Sequence, residues 1–162
     1  MEQLLKDISK LSVSIGEAIA SEAQIKNNWL GFEPASEEQI KATEERLGLK
    51  LPEDYINFLK ITNGFSAPNQ IEPSFIPVQE IMFLKDSDPF LIEAYRLEEL
   101  ERAIFISGED EEQHFFLIYP KSENEKWRYW KFANWHPAEH EHENLESYFA
   151  HVLEFIRKDI ND

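Results

Sequence analysis

The chain contains no cysteine, and several features typical of other protein classes are missing as well. Without cysteine it forms neither disulfide bonds nor thiolate metal sites, and it has no cysteine nucleophile. It has no run of about eighteen apolar residues, which excludes a membrane-spanning helix. The first 10 residues include charged side chains and no apolar core, unlike a secretory signal. Together these absences predict a cytoplasmic protein that has no membrane partner.

Known catalytic motifs are also absent. The sequence has no G-x-S-x-G elbow, no phosphate-binding glycine loop, no dinucleotide fingerprint and no H-E-x-x-H pair. Acids are plentiful, but no spacing pairs two of them as a general acid and a general base. We therefore expect a protein with no enzymatic activity, no catalytic residues and no cofactor.

Basic residues are scarce. The chain has 16 lysines and arginines against 32 aspartates and glutamates, which gives a formal net charge of −16. The excess is greatest from Glu80 to Glu112, where 11 acids accompany Lys85, Arg96 and Arg102. Such a charge repels nucleic acid and anionic lipid, and it accelerates the capture of a basic protein. Solubility explains the same charge, and on charge alone it is the better explanation.

The chain has what a folded core requires. Hydrophobic residues make up 42% of its 162 residues, with 12 phenylalanines and 4 tryptophans, which is typical of a packed fold rather than of disorder. This length can bury a substantial core, and no low-complexity linker divides it. We therefore expect one domain over residues 1–162.

Residues 36–48 have the start and stop signals of a short helix. Ser36 and Gln39 have the spacing of a capping box, in which each side chain bonds a free backbone N–H of the first turn. Gly48 stands where a left-handed C-cap is required. Residues at helical spacing form the inward face: Ile40, Glu44 and Leu47.

A second helix follows at once. Pro52 suits the first helical position, because its missing N–H costs nothing there. Asn63 and Gly64 end the helix. Its inward face comprises Tyr55, Phe58, Leu59 and Thr62. The two segments predict a tight helical hairpin.

The spacing of the hairpin residues resembles the SUKH superfamily, which is named partly after yeast cell-wall synthesis regulators and includes many bacterial immunity proteins. The resemblance covers residues 30–158, and only its first third is specific. It implies one SUKH-like domain, with residues 1–28 as an N-terminal helical extension and 29–160 as the family-like core. The matching residues, which we expect to be mainly structural, are Gly31, Pro34, Ile40, Glu44, Gly48, Leu51, Pro52, Tyr55, Phe58, Leu59, Asn63 and Gly64.

Hydrophobic spacing in the rest of the chain predicts an α+β fold, an antiparallel sheet flanked by helices. The N-terminal helix and the hairpin come first, and an amphipathic helix from Leu145 comes last. Gly16 weakens the first helix and allows a break there. The predicted elements are a helix at 2–26, loops at 66–73 and 86–89, and strands at 102–107, 113–119 and 127–132, the last with one buried face.

Acidic and aromatic residues are the candidates for partner binding. They are Glu98, Glu99, Glu101, Glu109, Asp110, Glu111, Glu112, Trp127 and Trp130. The four adjacent acids at 109–112 could bind a divalent cation, but the pattern of a calcium loop is absent and a solvated turn is the simpler interpretation. The aromatic group at 127–135 could stack on single-stranded nucleic acid, which the net charge disfavours. We interpret Glu44 as a buried carboxylate bonded to nearby backbone N–H groups rather than as a partner contact.

Residues 136–143 contain three histidines and three glutamates. Their spacing matches neither a helical zinc pair nor a zinc finger, so we expect no native metal site. Zinc or nickel could still bind there in vitro. If the histidines are exposed, this loop is mildly sensitive to pH.

The resemblance implies a non-enzymatic immunity protein that neutralises a toxin, a basic nuclease, by direct binding. Acids between Glu80 and Glu112 would steer the partner, and one or two aromatic side chains would be buried against it. The alternative is a regulatory scaffold of the cell-wall-regulator type. A metal-dependent hydrolase using residues 136–143 is a remote third possibility. The sequence leaves the oligomeric state open.

Overall fold

A computed structural model describes residues 1–108, 112–133 and 139–161 of the chain. These residues form an antiparallel sheet flanked by helices, which confirms the predicted α+β class. The helices are α1 (Glu2–Ile15), α2 (Glu22–Asn27), α3 (Glu37–Leu47), α4 (Glu53–Ile61), α5 (Leu84–Ser87), α6 (Pro89–Tyr95) and α7 (Leu145–Asn161), with 3₁₀ helices at Val78–Glu80 and Glu98–Arg102. The strands are β1 (Met82–Phe83), β2 (Ala103–Phe105), β3 (Gln113–Ile118), β4 (Arg128–Ala133) and β5 (Glu139–His142).

The sheet is an antiparallel meander in which the strands lie side by side in chain order, β1 to β5. Phe116 of β3 is paired with Trp130 of β4, and Phe105 of β2 with Phe116. All six residues of β3 are buried, so both faces of the sheet are covered. The prediction of one buried face for 127–132 is therefore wrong: Tyr129 packs on one side of the sheet and Trp130 on the other.

Two hydrophobic clusters fill the space on the two faces, as the alternation of side chains along a strand requires. The larger cluster joins one face to α1, α3, α4 and α7; its largest members include Tyr55, Phe58, Phe65, Phe115, Tyr148 and Phe149. The smaller cluster joins the other face to α5, α6 and the second 3₁₀ helix; its members are Leu84, Leu91, Leu100, Ala103, Phe105, Phe116, Ile118, Trp130 and Phe132. The sheet thus separates a thick helical layer from a thin one.

The helical hairpin has the predicted caps. Ser36 N–H donates to Gln39 Oε1 at 2.8 Å, and Gln39 N–H donates to Ser36 Oγ at 3.1 Å. Gly48 ends α3 in the left-handed region, with a φ of 69°. Pro52 is the N-cap residue of α4 rather than, as predicted, its first helical residue.

The predicted helix over 2–26 is divided in two. α1 ends at Ile15, and Gly16 follows with a φ of 76°. α2 has its own capping box, formed by the N-cap residue Ser21 and by Gln24 in the first turn. Leu5 and Ile8 are fully buried, so α1 packs against α7 as part of the main core.

Two other predictions from sequence are corrected. Residues 86–89 are not a loop but the junction of α5 and α6, where Asp88 caps α6 and Pro89 occupies its first turn. Residues 139–142, assigned to a loop, form the edge strand β5 against β4. None of the helices in the described ranges has the length and apolar character needed to cross a membrane.

Candidate functional site

The thin helical layer exposes a group of acids on its outer surface. We call residues 84–102, which comprise α5, α6 and the second 3₁₀ helix, the acidic segment. Leu84, Leu91 and Leu100 point inward and are at most 7% exposed, which fixes the segment on the sheet. The exposed acids on its other side are Asp86, Asp88, Glu93, Glu98 and Glu101. The segment therefore presents carboxylates from a rigidly packed base.

Phe90 is the most exposed large hydrophobic residue among those that the structure describes, at 75%. Asp88 accepts a hydrogen bond from Leu91 N–H at 3.1 Å and starts α6, so Leu91 points into the core and Phe90 points out. Phe90 is not among the predicted partner-binding residues, because the loop predicted at 86–89 conceals the start of α6. The available signal was Asp-Pro before Phe, since these two residues commonly start a helix.

A groove of about 580 Å³ lies between α6 and the second 3₁₀ helix, and one of its lining residues, Glu93, follows Phe90 by three positions on α6. Ile92 and Leu97 line it and pack against the smaller hydrophobic cluster, so they give it an apolar base. The polar lining residues are Glu93, Arg96, Glu98 and Glu101. The groove therefore combines an apolar base with more carboxylates than cations.

The acids around the groove differ in whether they form ion pairs within the domain. Glu98 forms an ion pair with Lys121, and that lysine holds the pKa of Glu98 below its usual value. Glu99 is half-buried and lies 3.2 Å from Arg128 Nη1. Glu93 and Glu101 have no ion pair within the described parts of the chain. The charges of Glu93 and Glu101 are therefore open to an ion pair with a partner, whereas Glu99 already pairs with Arg128.

Of the four predicted acids at 109–112, the structure describes one. Glu109, Asp110 and Glu111 lie outside the described residues, and Glu112 is exposed just before β3. The second 3₁₀ helix precedes β2 and Glu112 follows it, so the acidic segment and Glu112 lie at opposite ends of that strand. Glu112 is therefore not among the residues that line the groove.

The two predicted tryptophans are not equivalent. Trp130 is 1% exposed within the smaller hydrophobic cluster, and the Arg128 guanidinium lies 5.0 Å from its ring centroid. It cannot contact a partner from this position, which corrects its assignment as a binding residue. Trp127 is half-buried against the larger cluster and keeps part of its surface accessible.

Glu44 has the structural role expected of it. Its side chain is buried, Oε1 accepts a hydrogen bond from Leu51 N–H at 2.9 Å, and Oε2 lies 2.8 Å from Lys50 Nζ. The carboxylate thus joins the end of α3 to the start of α4. The interpretation of Glu44 as a buried carboxylate bonded to backbone is confirmed.

The other matching residues also hold the hairpin in place. Asn63 accepts a hydrogen bond from Val78 N–H and donates one to Gln79 Oε1, both at 2.8 Å. Gly64 has a φ of 104°, and a Cβ there would lie 2.8 Å from the Phe75 carbonyl oxygen. These contacts fix the hairpin to the chain that leads into the sheet.

The histidines near β5 differ in exposure: His140 and His151 are exposed, whereas His142 is half-buried. The His142 ring is half-buried, 5.2 Å from the Tyr148 ring and 5.9 Å from that of His151. Burial lowers the pKa of His142 to about 4, with smaller contributions from His140, His151 and Lys131. In the described ranges no three histidine or acid side chains are placed to hold a metal ion; His136 lies outside those ranges. The condition set for a pH-sensitive loop, that its histidines are exposed, is met by His140 but not by His142.

The fold and this surface define an α+β domain of the SUKH type, with a capped hairpin on one side of a meander sheet and an acidic segment on the other. Residues 34–158 match the SMI1/KNR4 family (SUKH-1). The chain therefore belongs to the SMI1/KNR4 family, as the hairpin residues predicted. Among curated proteins, no relative matches it.

Proposed function

We propose that this protein is a non-catalytic binding domain that neutralises a toxin, a basic nuclease, by direct association. Membership of the SMI1/KNR4 family supports a SUKH-type domain. The many immunity proteins in that superfamily support a toxin as the binding partner. The acidic segment would cover the basic active cleft of the nuclease. No chemistry is needed from the immunity protein, because occlusion alone prevents access of the substrate.

The observation that carries the proposal is a groove lined by Glu93, Glu98 and Glu101, together with the exposed Phe90 on the same helix as Glu93. Exposed aromatic side chains are enriched among the residues that dominate binding energy. The carboxylates, together with the net charge of −16, attract a basic protein and raise its association rate. A surface with these two features is suited to a basic protein partner.

The test is affinity capture from the native lysate at low and at high salt, followed by mass spectrometry and a nuclease assay. We expect one basic protein in a one-to-one complex at low salt, with nuclease activity that this protein abolishes. Recovery of partners whose activities are all unchanged by binding would contradict the immunity function.

A regulatory scaffold is the second candidate, since the matching family is named SMI1/KNR4 and the resemblance includes cell-wall regulators. In that case the capture experiment would recover kinases or envelope-synthesis proteins, and the nuclease assay would show no inhibition. The two functions therefore differ in both the identity and the activity of the partner.

A further inference from the structure

The groove on the acidic segment has the chemical character of a receptor for one type of side chain. Its base is apolar, because Ile92 and Leu97 belong to the packing of the smaller hydrophobic cluster. Its walls include the carboxylates of Glu93 and Glu101, which have no ion pair in the described parts of the chain. A ligand that fits must be apolar along its length and positive at its end.

Lysine and arginine side chains have this character. Each has an aliphatic stem that covers apolar surface and a charged end that stays with water or a carboxylate. Arginine also presents a planar fork of donors that can serve two carboxylates at once. An acidic or neutral partner would leave the carboxylates without compensation, and nucleic acid would be repelled by them.

Phe90 extends the same surface. It lies three residues before Glu93 on α6, and residues at that spacing are neighbours on one face of a helix. At 75% exposure it offers an aromatic face that the domain itself does not cover. Such a ring can be buried against apolar partner surface or beneath a cationic side chain.

We infer that a lysine or arginine of the basic partner occupies this groove, with its stem on Ile92 and Leu97 and its charge between Glu93 and Glu101, while Phe90 is buried against the partner. This inference rests on the proposed function and specifies its interface. Arg96 also lines the groove, so it opposes the incoming cation.

The test uses the basic protein recovered by the capture experiment, purified, as the probe. Its dissociation constant and its two rate constants are measured against the wild type and three variants. Phe90→Ser should weaken binding by about 30-fold, chiefly through faster dissociation. The double variant Glu93→Gln/Glu101→Gln should weaken it by about 10-fold, with slower association. Arg96→Asn should strengthen it by about 2-fold, because a competing cation is removed.

The controls remove the same groups elsewhere. Phe155→Ser removes another exposed aromatic side chain, from α7, and Glu37→Gln/Glu38→Gln removes two exposed charges from α3. Both should leave the dissociation constant within about 2-fold of wild type. The gain expected for Arg96→Asn guards against misfolding as an explanation, since a misfolded variant would bind less well.

Two failures can be told apart. If capture yields no basic nuclease partner, the proposed function is contradicted. If it yields one whose binding is unchanged by Phe90→Ser and by Glu93→Gln/Glu101→Gln, the proposed function stands and this interface is overturned. A loss with Phe155→Ser equal to that with Phe90→Ser would also overturn it.

Discussion

The helical hairpin of residues 36–64 and the acidic segment of residues 84–102 belong to hydrophobic clusters on opposite faces of one sheet. In the hairpin, the large side chains of α4 point inward: Tyr55, Phe58 and Leu59 are fully buried. In the acidic segment, leucines do the packing and Phe90 is left in solvent. The two regions use similar residue types for different purposes.

This difference distinguishes the residues that match the family from the residues that we propose contact a partner. The hairpin residues that match the family form caps, turns and core contacts, as Glu44 and Gly64 illustrate. None of the contacts described for them requires a partner. Under the proposed function, recognition belongs to the acidic segment, whose outer residues are not among the matching ones.

The largest expected effect compares one phenylalanine from each region. Phe58 is fully buried and lies 5.5 Å from the Phe75 ring and 5.7 Å from the Phe149 ring, between centroids. Phe58→Ala should lower the free energy of unfolding by about 3–5 kcal/mol, because it leaves a cavity in the larger cluster. Phe90→Ala should change it by less than about 0.5 kcal/mol. Urea denaturation measures both, and equal losses would remove the distinction between the regions.

A smaller effect is expected from Glu44. Glu44→Ala leaves Leu51 N–H without its acceptor, and we expect a loss of about 1–3 kcal/mol in the free energy of unfolding. The adjacent Glu45 is exposed and lies 3.9 Å from Lys41. Glu45→Ala is therefore the matched control, with an expected loss below about 0.5 kcal/mol. Similar losses for the two variants would show that Glu44 has no special role in the hairpin.

Acid should destabilise the hairpin side of the sheet through His142. Its folded pKa of about 4 lies below the ordinary histidine value of 6.5, so the unfolded chain binds the proton more readily. The neutral side chain's contribution is complete above pH 6.5 and is lost as pH falls toward 4. Because His142 is only half-buried, we expect the loss to be about 1 kcal/mol after screening.

The measurement is urea denaturation of the wild type and His142→Gln at a series of pH values. Other titrating groups are shared by the two proteins and largely cancel in the difference. The free-energy advantage of the wild type should decrease between pH 6.5 and 4. A pH-independent difference would show that His142 titrates alike in the folded and unfolded chains.

The smallest effect on stability is expected from salt, which acts instead on association with the partner. Raising ionic strength from about 0.05 to 0.5 M should slow association with the basic partner about 10-fold, because exposed charges are screened. Stopped-flow measurements give the rate. The double variant Glu93→Gln/Glu101→Gln should show a shallower dependence, whereas a rate independent of salt in the wild type would exclude electrostatic steering.

Much of the hairpin was predictable because its signals are local. Ser36 with Gln39, and Gly48 at its end, act within a few residues of one another, so their spacing alone identifies the helix. The strands β2 to β4 were found for a similar reason, since runs of large apolar residues mark them.

Tertiary features were not predictable in this way. β5 alternates histidine and glutamate, and only its pairing with β4 makes it a strand. The burial of Trp130 depends on the second helical layer, which the sequence does not reveal locally. The exposure of Phe90 depends on which side of α6 faces the sheet. That side cannot be predicted when residues 86–89 are taken as a loop, because the start of α6 is then unknown.

Hydrogen exchange of the free protein and of its complex with the captured partner tests the central claim most directly. Backbone amides of residues 90–102 should become more protected in the complex, because the partner covers the groove and Phe90. Amides of the hairpin, residues 36–64, should exchange as they do in the free protein. Protection confined to the hairpin, with residues 90–102 unchanged, would contradict the assignment of recognition to the acidic segment.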